Sequence, residues 1–314
     1  MLKKIFWSIE QGRLRTPFRV ALFVVIFGVL VRGLATLVEL YEFGEEGAFL
    51  AAPLTNGVVA VAIIVALFIS GRFLDRRSMS DWGLGLSGKW WADLIAGLLI
   101  PALVMTPVFL ILLSQGWIEI TGRNVMAYAG FGFAGALTIQ TARYLAGSIM
   151  EEAIFRAYLL RTLSEVVGAR WIGKRAAVLL VVVLTSAAFG AMHLSNPNAT
   201  LVGAANLTLL GIVFGLPMAM TGRLALSIGL HMSWNIMQNV IFGLANSGQE
   251  ASVAILAAQP VANEAWTGGA FGIEGGLAGT VAALAALVLT LIWIWRTNGG
   301  LALHAPLATA PERT

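Results

Sequence analysis

The chain has 314 residues, of which 58% are hydrophobic and only 11% are charged. A soluble domain carries about 25% charged residues, so this composition excludes an ordinary soluble domain and indicates a membrane protein. The absence of cysteine excludes disulfides, thiolate catalysis and cysteine metal sites. The formal net charge of +4 comes from basic residues in short loops, which indicates a membrane-topology signal and not nucleic-acid binding.

The chain begins with a basic, amphipathic segment, residues 1–17, which a long apolar run follows. That run is too long for a signal peptide and has no small-residue cleavage site, so we predict a retained first helix. Similar runs continue along the chain, whereas a transmembrane β-barrel shows short alternating segments. The sequence therefore predicts an all-α fold, a polytopic transmembrane helical bundle of about eight spans within residues 18–296. The predicted spans are residues 18–40, 47–70, 92–114, 128–160, 176–193, 199–221, 224–245 and 276–296.

The segments outside the predicted spans are short. A glycine-rich stretch, residues 246–276, is expected to lie partly at the membrane interface, and residues 297–314 are expected to form a disordered cytoplasmic tail. Almost all loop lysines and arginines fall on one side of the bundle, and only Arg123 falls on the other. Because positive residues are held on the cytoplasmic side, both termini are predicted to be cytoplasmic.

The fourth predicted span contains three charges within six residues, in the sequence "EEAIFR". A charge inside a bundle costs roughly 2.5–3.5 kcal/mol on insertion scales, so such groups indicate a functional site. Glu152 and Arg156 are separated by four residues and can pair along one helix face. Glu151 points about 100° away from Glu152, so it has no local partner and is a candidate general base.

Two later spans each contain a histidine at the same helical spacing from a second residue. "FGAMHLSN" contains Phe189 and His193, and "HMSWN" contains His231 and Asn235. If these faces converge on Glu151, the set can activate water and stabilise an oxyanion. The competing interpretation is interhelical hydrogen bonding without catalysis. Two other arginines within spans, Arg32 and Arg143, are expected to snorkel or to be paired structurally.

In chain order, the patterns E-E-x-x-x-R, F-x-x-x-H and H-x-x-x-N resemble the CAAX-protease and bacteriocin-processing (CPBP) family of intramembrane endopeptidases. The resemblance covers roughly residues 130–245 and implies peptide-bond hydrolysis within or beside the membrane. It implies that Glu151 and His193 activate the attacking water, while His231 and Asn235 hold the oxyanion. The supporting residues that it implies are Glu152, Arg156 and Phe189.

The sequence leaves the use of a metal open. His193, His231 and Glu151 are possible zinc ligands with an open position for water. However, the pattern H-E-x-x-H is absent and asparagine is a poor zinc ligand, so a metal-free glutamate mechanism is favoured and no cofactor is expected.

The expected substrate is a peptide or membrane-anchored protein, and the expected location is a bacterial cytoplasmic membrane, with no nucleic-acid partner. The alternative is a non-catalytic membrane scaffold or a transporter that uses the same polar faces for binding. Transporters tend to show repeats and paired broken helices, and neither is evident here.

The depths of the candidate residues disagree when they are counted from the nearest basic residues. At 1.5 Å per residue, His193 lies about 27 Å from Arg175, Glu151 about 15 Å from Arg161, and His231 about 12 Å from Arg223. Either the helix of His193 begins well below the bilayer, or it is tilted, or the helix boundaries differ from those predicted.

Overall fold

The computed structural model describes residues 5–8, 11–39, 50–126, 132–168 and 172–311, and the fold in these ranges is mainly helical. Two helices continue directly into π-helical turns: Ala51–Ile69 into Ser70–Asp75 and Ala225–Asn235 into Ile236–Ile241. A third π-helical segment, Ala153–Leu159, joins Phe133–Glu152 to Leu160–Val167 without a break. The helices are α1 Thr16–Glu39, α2 Ala51–Ile69, α3 Gly88–Ser114, α4 Phe133–Glu152, α5 Leu160–Val167, α6 Lys174–Met192, α7 Leu201–Thr221, α8 Ala225–Asn235, α9 Glu264–Thr267 and α10 Leu277–Asn298.

Six helices in the described part of the chain are long and apolar enough to cross a membrane. They comprise α1, α3, α7 and α10, together with α2 and α6 and the turns that extend them. The prediction of an all-α, multi-pass membrane bundle is therefore confirmed. The other two predicted spans correspond to α4 with its continuation and to α8, and the start predicted for the fourth span, residue 128, lies outside the described residues. The count of eight spans stays a prediction.

Two antiparallel ribbons accompany the helices. The first pairs β1 Trp7–Ser8 with β2 Arg13–Leu14. The second pairs β3 Ile118–Met126 with β4 Val253–Pro260, in a register that runs from Ile118 opposite Pro260 to Met126 opposite Val253. These strands were not predicted from the sequence. Because β3 follows α3 and β4 follows α8, their pairing puts both connections at the same end of the bundle.

This shared end gives a test of the predicted topology. A reporter fused after Gly248, which lies in the connection that contains β4, should be extracytoplasmic. A reporter fused after Arg296, near the end of α10, should be cytoplasmic, because the positive loops lie at that end. Enzyme reporters that are active on only one side of the membrane would measure both positions. Two fusions that report the same side would refute the predicted orientation.

Close contacts between helix backbones hold the centre of the bundle together. Gly97 on α3 and Gly229 on α8 lie so close that a Cβ on Gly97 would be 2.9 Å from Gly229 Cα. A Cβ on Gly211 of α7 would be 2.9 Å from the Cβ of Ser186 on α6. Small residues let two helix backbones approach closely. This packing matters in a membrane because lipid provides no hydrophobic driving force for helix association. These contacts hold α8 against α3 and α7 against α6.

Several arginines that the sequence analysis treated as topology signals are buried ion-pair partners. Arg13 and Arg19 bond to the carboxylates of Glu165 and Asp75 respectively. Arg77 Nη2 lies 2.6 Å from Glu165 Oε2, and all five side chains are buried. Buried charges need partners and hydrogen bonds to offset their desolvation. The cluster therefore ties the N-terminal ribbon and α1 to the ends of α2 and α5.

The tail differs from the disordered segment that was expected. Its described part, residues 297–311, folds back onto the bundle, and Leu307 and Ala308 are buried. The backbone N–H of His304 donates to Ala219 O at 2.8 Å, and Arg77 Nη2 donates to Thr309 O at 2.9 Å. Apolar side chains and backbone hydrogen bonds together favour the packed state over disorder. Residues 312–314 lie outside the described residues.

The structure also explains why the depths counted from the sequence disagreed. Arg161 is buried and donates to Asp81 O at 2.7 Å, so it does not mark the end of its helix. The helix continues to Val167, about 24 Å from Glu151 and close to the 27 Å counted for His193. At the start of α8, the ring of His304 covers Gly222. The C-terminal tail therefore covers the start of α8. A distance counted along the helix from Arg223 leaves out the tail, so it underestimates how deep His231 lies.

Candidate active site

The two adjacent glutamates stand at the end of α4, where the helix widens into the π-helical segment. Such segments often occur at functional sites because the wider turn redirects side chains. Glu152 is fully buried, whereas the side chain of Glu151 is 27% exposed. The sequence prediction that the two carboxylates face different surroundings therefore agrees with their positions.

Glu152 is the centre of a buried network that connects three helical segments. Its Oε1 accepts a hydrogen bond from Arg156 Nη1 at 2.9 Å, as the spacing of four residues predicted. The same oxygen accepts one from His231 Nδ1 on α8 at 2.9 Å. Arg156 also donates from Nη2 to Gly211 O on α7 at 2.9 Å. Truncating any of these three side chains leaves a buried polar partner without its bond.

His231 lies between the two glutamates. Its Nδ1–H donates to Glu152, so its Nε2 is directed towards Glu151, whose Oε2 lies 3.7 Å away. Phe214 stacks on the imidazole with ring centroids 4.9 Å apart and planes at 14°. Phe189 meets the same ring edge-on at 5.8 Å. The two aromatic rings and the carboxylate of Glu152 fix the orientation of His231.

His193 is the first residue of a short 3-10 turn, His193–Ser195, that follows α6. Its Nδ1 lies 2.7 Å from Phe189 O, and a carbonyl only accepts, so Nδ1 carries the proton. In the neutral form of such a ring, Nε2 carries the lone pair. The ring of Phe189 packs against His193 at 4.7 Å and receives the guanidinium of Arg156 on its face at 4.8 Å. Phe189 thus links the histidine to the buried ion pair.

Asn235 is the last residue of α8, and its orientation is set by a residue that the sequence analysis missed. Asn246 Nδ2 donates to Asn235 Oδ1 at 3.1 Å, and Asn235 Nδ2 has no acceptor among the described residues. The neighbouring Ser247 is anchored by Glu274, whose Oε2 accepts from both the backbone N–H and the hydroxyl at 2.8 Å. Glu274 Oε1 accepts from Trp234 Nε1 at 2.9 Å. A buried acidic residue in the glycine-rich segment was the signal that could have revealed this support.

All four predicted catalytic residues line one cavity of ≈ 170 Å³. Phe189 also lines it, whereas Glu152 and Arg156 lie behind its wall. The cavity thus brings together a half-buried carboxylate, two imidazoles and an amide, as the sequence interpretation required. Further lining residues that it did not predict are Arg143, Tyr144, Asn196, Asn246, Ser247, Gln249 and Glu274.

The possible zinc ligands do not form a compact ligand set. In the described ranges, no group of three or more His, Cys, Asp or Glu side chains is arranged to hold a metal ion. His231 and Glu151 approach each other to 3.7 Å. His193 Nε2 carries a lone pair but does not complete a three-ligand cluster with them.

Comparison with known proteins identifies the segment that contains these residues. Residues 133–237 match a family model described as "Type II CAAX prenyl endopeptidase Rce1-like". The matched segment includes all seven residues of the three patterns, and it begins at α4 and ends just beyond α8. No curated protein and no solved structure matches the chain. Residues 133–237 of this multi-pass membrane bundle are thus similar to the Rce1-like CAAX prenyl endopeptidases.

Proposed function

We propose that this protein is an intramembrane endopeptidase that hydrolyses membrane-associated peptides or proteins with a water molecule activated by Glu151 and His193. One observation carries the proposal: a cavity between membrane helices contains Glu151, His193, His231 and Asn235 together. The similarity to CAAX endopeptidases supports peptide-bond cleavage. A bacterial cytoplasmic membrane stays part of the proposal, because the family suggested by the sequence patterns includes bacteriocin-processing enzymes.

In the proposed first step, water attacks the carbonyl carbon of the scissile peptide bond. Glu151 accepts the proton as the new C–O bond forms, and His193 Nε2 accepts a hydrogen bond from the remaining O–H. The Nδ1–H···O=C bond to Phe189 supports this role, because it keeps the lone pair on Nε2. Positioned acid–base groups of this kind contribute about 10²–10⁴-fold to rate.

The tetrahedral intermediate carries a negative oxygen, which Asn235 and His231 would stabilise. Asn246 occupies Asn235 Oδ1, so Asn235 can donate from Nδ2. His231 can donate from Nε2 in its imidazolium form, and that form balances the charges of Glu151, Glu152 and Arg156. Preorganised donors of this kind are often the largest contribution to catalysis. The C–N bond then breaks as Glu151 returns its proton to the leaving nitrogen, giving a carboxylic acid and an amine.

The direct test of the proposal is cleavage by purified full-length protein in lipid vesicles. The substrates are synthetic peptides anchored to the same vesicles by a lipid or a hydrophobic segment. Mass spectrometry should find two fragments whose summed mass exceeds that of the substrate by one water. Failure to cleave any member of a diverse anchored library, while the protein remains folded, would favour the scaffold or transporter interpretation.

A separate prediction concerns metal. Because the four site residues can activate water without a Lewis acid, strong chelators should leave cleavage unchanged. Elemental analysis of the purified protein should find zinc well below one atom per chain. Stoichiometric zinc whose removal and return switch activity off and on would instead assign His193, His231 and Glu151 as ligands.

A further inference from the structure

A second cavity, of ≈ 570 Å³, lies at the end of the bundle where α3, α6 and α8 begin. The candidate active site lies at the other end of α6 and α8. The second cavity is lined by Lys89, Arg175 and Arg223 from the starts of these three helices, and by His304 with its neighbours in the tail. None of the described residues that line it is acidic. We call this cavity the basic pocket.

Only one of the three basic side chains has an acidic partner in the described part of the chain. Arg223 donates from Nε to Asp93 Oδ2 at 2.6 Å and from Nη2 to Asn298 Oδ1 at 3.2 Å. Lys89 and Arg175 are exposed, and neither forms a hydrogen bond or an ion pair with a described residue. The basic pocket therefore has a fixed guanidinium, whose charge Asp93 offsets, and two cations without a counter-charge.

The histidine of the tail is held at the wall of this pocket in positive surroundings. Its backbone N–H donates to Ala219 O at 2.8 Å, and its ring covers Gly222. Burial lowers the pKa of His304, and the guanidinium groups of Arg161 and Arg223 lower it further. The imidazole is therefore neutral near pH 7, and the charges that act on it favour an anion in the pocket.

The tail also contributes backbone donors to the pocket. Gly300 and Ala302 line it, and their N–H groups have no acceptor among the residues that the structure describes. A Cβ added to Gly299 or to Gly300 would meet no atom within 4 Å, so open space lies beside this stretch of backbone. Backbone N–H groups in such positions are common ligands of anion oxygens.

These donors match a phosphate group better than a smaller anion. Several phosphate oxygens can accept hydrogen bonds at once, and arginine and lysine are the side chains that most often bind them. The pocket lies at the end of the bundle that the positive loops predict to be cytoplasmic. Trp91, two positions after Lys89, is 50% exposed, as is typical of an indole at the level of lipid headgroups. Basic pockets between helices on this side of a membrane bind anionic headgroups.

We propose that the basic pocket binds a phosphate group with net negative charge through Lys89, Arg175 and Arg223. The phosphate belongs either to the headgroup of an anionic phospholipid or to a soluble phosphate compound. Once bound, it connects the starts of α3 and α6 to the tail and so holds the tail against the bundle. This site is separate from the candidate active site and does not depend on the proposed peptidase function.

The test removes the two cations that have no partner in the fold. Full-length protein in neutral detergent is titrated with phosphatidylglycerol, and native mass spectrometry counts the bound lipid. Phosphatidylcholine is the reference lipid, because its ammonium group offsets the phosphate charge. The wild-type protein should prefer phosphatidylglycerol. Lys89→Gln and Arg175→Gln should each weaken its binding by about 5-fold, and the double variant by about 25-fold.

Lys174→Gln is the matched control for Arg175→Gln. It removes the same charge at the neighbouring position of α6, but Lys174 does not line the basic pocket. The control should therefore bind phosphatidylglycerol nearly as the wild-type protein does. Equal losses in Lys174→Gln and Arg175→Gln would show only the general attraction of a basic surface for anionic lipid, and would overturn the site.

Inorganic phosphate distinguishes the two sources of the ligand. It is titrated against the same proteins, with sodium chloride at equal ionic strength as the control, and the melting temperature is measured. A ligand that binds the folded state raises this temperature. Stabilisation of the wild-type protein but not of the double variant, without preference for phosphatidylglycerol, assigns the pocket to a soluble phosphate compound. Preference for phosphatidylglycerol assigns it to a lipid headgroup. If neither ligand distinguishes the wild-type protein from the double variant, the inference is wrong, whatever the peptide-cleavage assay gives.

Discussion

Glu151→Gln is expected to abolish peptide cleavage while the protein stays folded and inserted in the membrane. Glutamine keeps the size and hydrogen bonding of the side chain but cannot accept the proton of the attacking water. Loss of general-base catalysis should lower kcat by about 10²–10⁴-fold. Because the Glu151 side chain is partly exposed in the cavity, and its one ion-pair contact among the described residues is with His231 at 3.7 Å, stability should change little.

The measurement is turnover of an anchored peptide in lipid vesicles, together with the melting temperature of the same preparation. Glu119→Gln is the matched control, since Glu119 is exposed on β3, far along the chain from the cavity residues, and accepts a hydrogen bond from Gln259 at 2.6 Å. The control should keep both activity and melting temperature. Near-wild-type turnover in Glu151→Gln would eliminate the assigned base and the mechanism built on it.

Local contacts of the site could be predicted from the sequence because helix geometry fixes them. Residues four apart share a helix face, which was sufficient for the Glu152–Arg156 pair and for His193 above Phe189. The hydrogen bond from His231 to Glu152 crosses 79 positions of sequence, and no spacing rule predicts it. The patterns suggested that the helices converge, but only the packing of α4 against α8 specifies which glutamate receives the imidazole.

Other features could not be predicted because tertiary contacts override local patterns. The sequence treated Arg161 as a residue at the membrane surface, yet it is buried against the loop of Asp81. Arg13 and Arg77 were interpreted as topology signals, yet both form buried ion pairs with Glu165. In each case the partner lies far away in the sequence. Asn246 was missed for the same reason, since its hydrogen bond to Asn235 depends on how the chain folds back beside α8.

The second large effect is expected from Glu152→Gln, which should lower stability as well as activity. Glu152 and Arg156 are both buried, so the substitution leaves a guanidinium without its counter-charge. Breaking a buried pair in this way costs about 3–5 kcal/mol. Activity should fall too, because His231 loses the carboxylate that orients its ring.

The double variant Glu152→Gln with Arg156→Met separates these two effects. Methionine removes the unpaired charge and fills the space with a flexible apolar chain, so most of the lost stability should return. Recovery should be incomplete by about 1 kcal/mol, because Gly211 O also loses the hydrogen bond from Arg156. Activity should stay low, since methionine does not restore the carboxylate beside His231.

Melting temperature and turnover of the three variants therefore give a pattern that distinguishes the two glutamates. Glu151→Gln should be stable and inactive, Glu152→Gln unstable and impaired, and the double variant stable and impaired. If the double variant regains wild-type turnover together with its stability, Glu152 acts only through folding and its bond to His231 has no role in catalysis. If Glu152→Gln melts like the wild type, the buried pair with Arg156 does not carry the stability assigned to it.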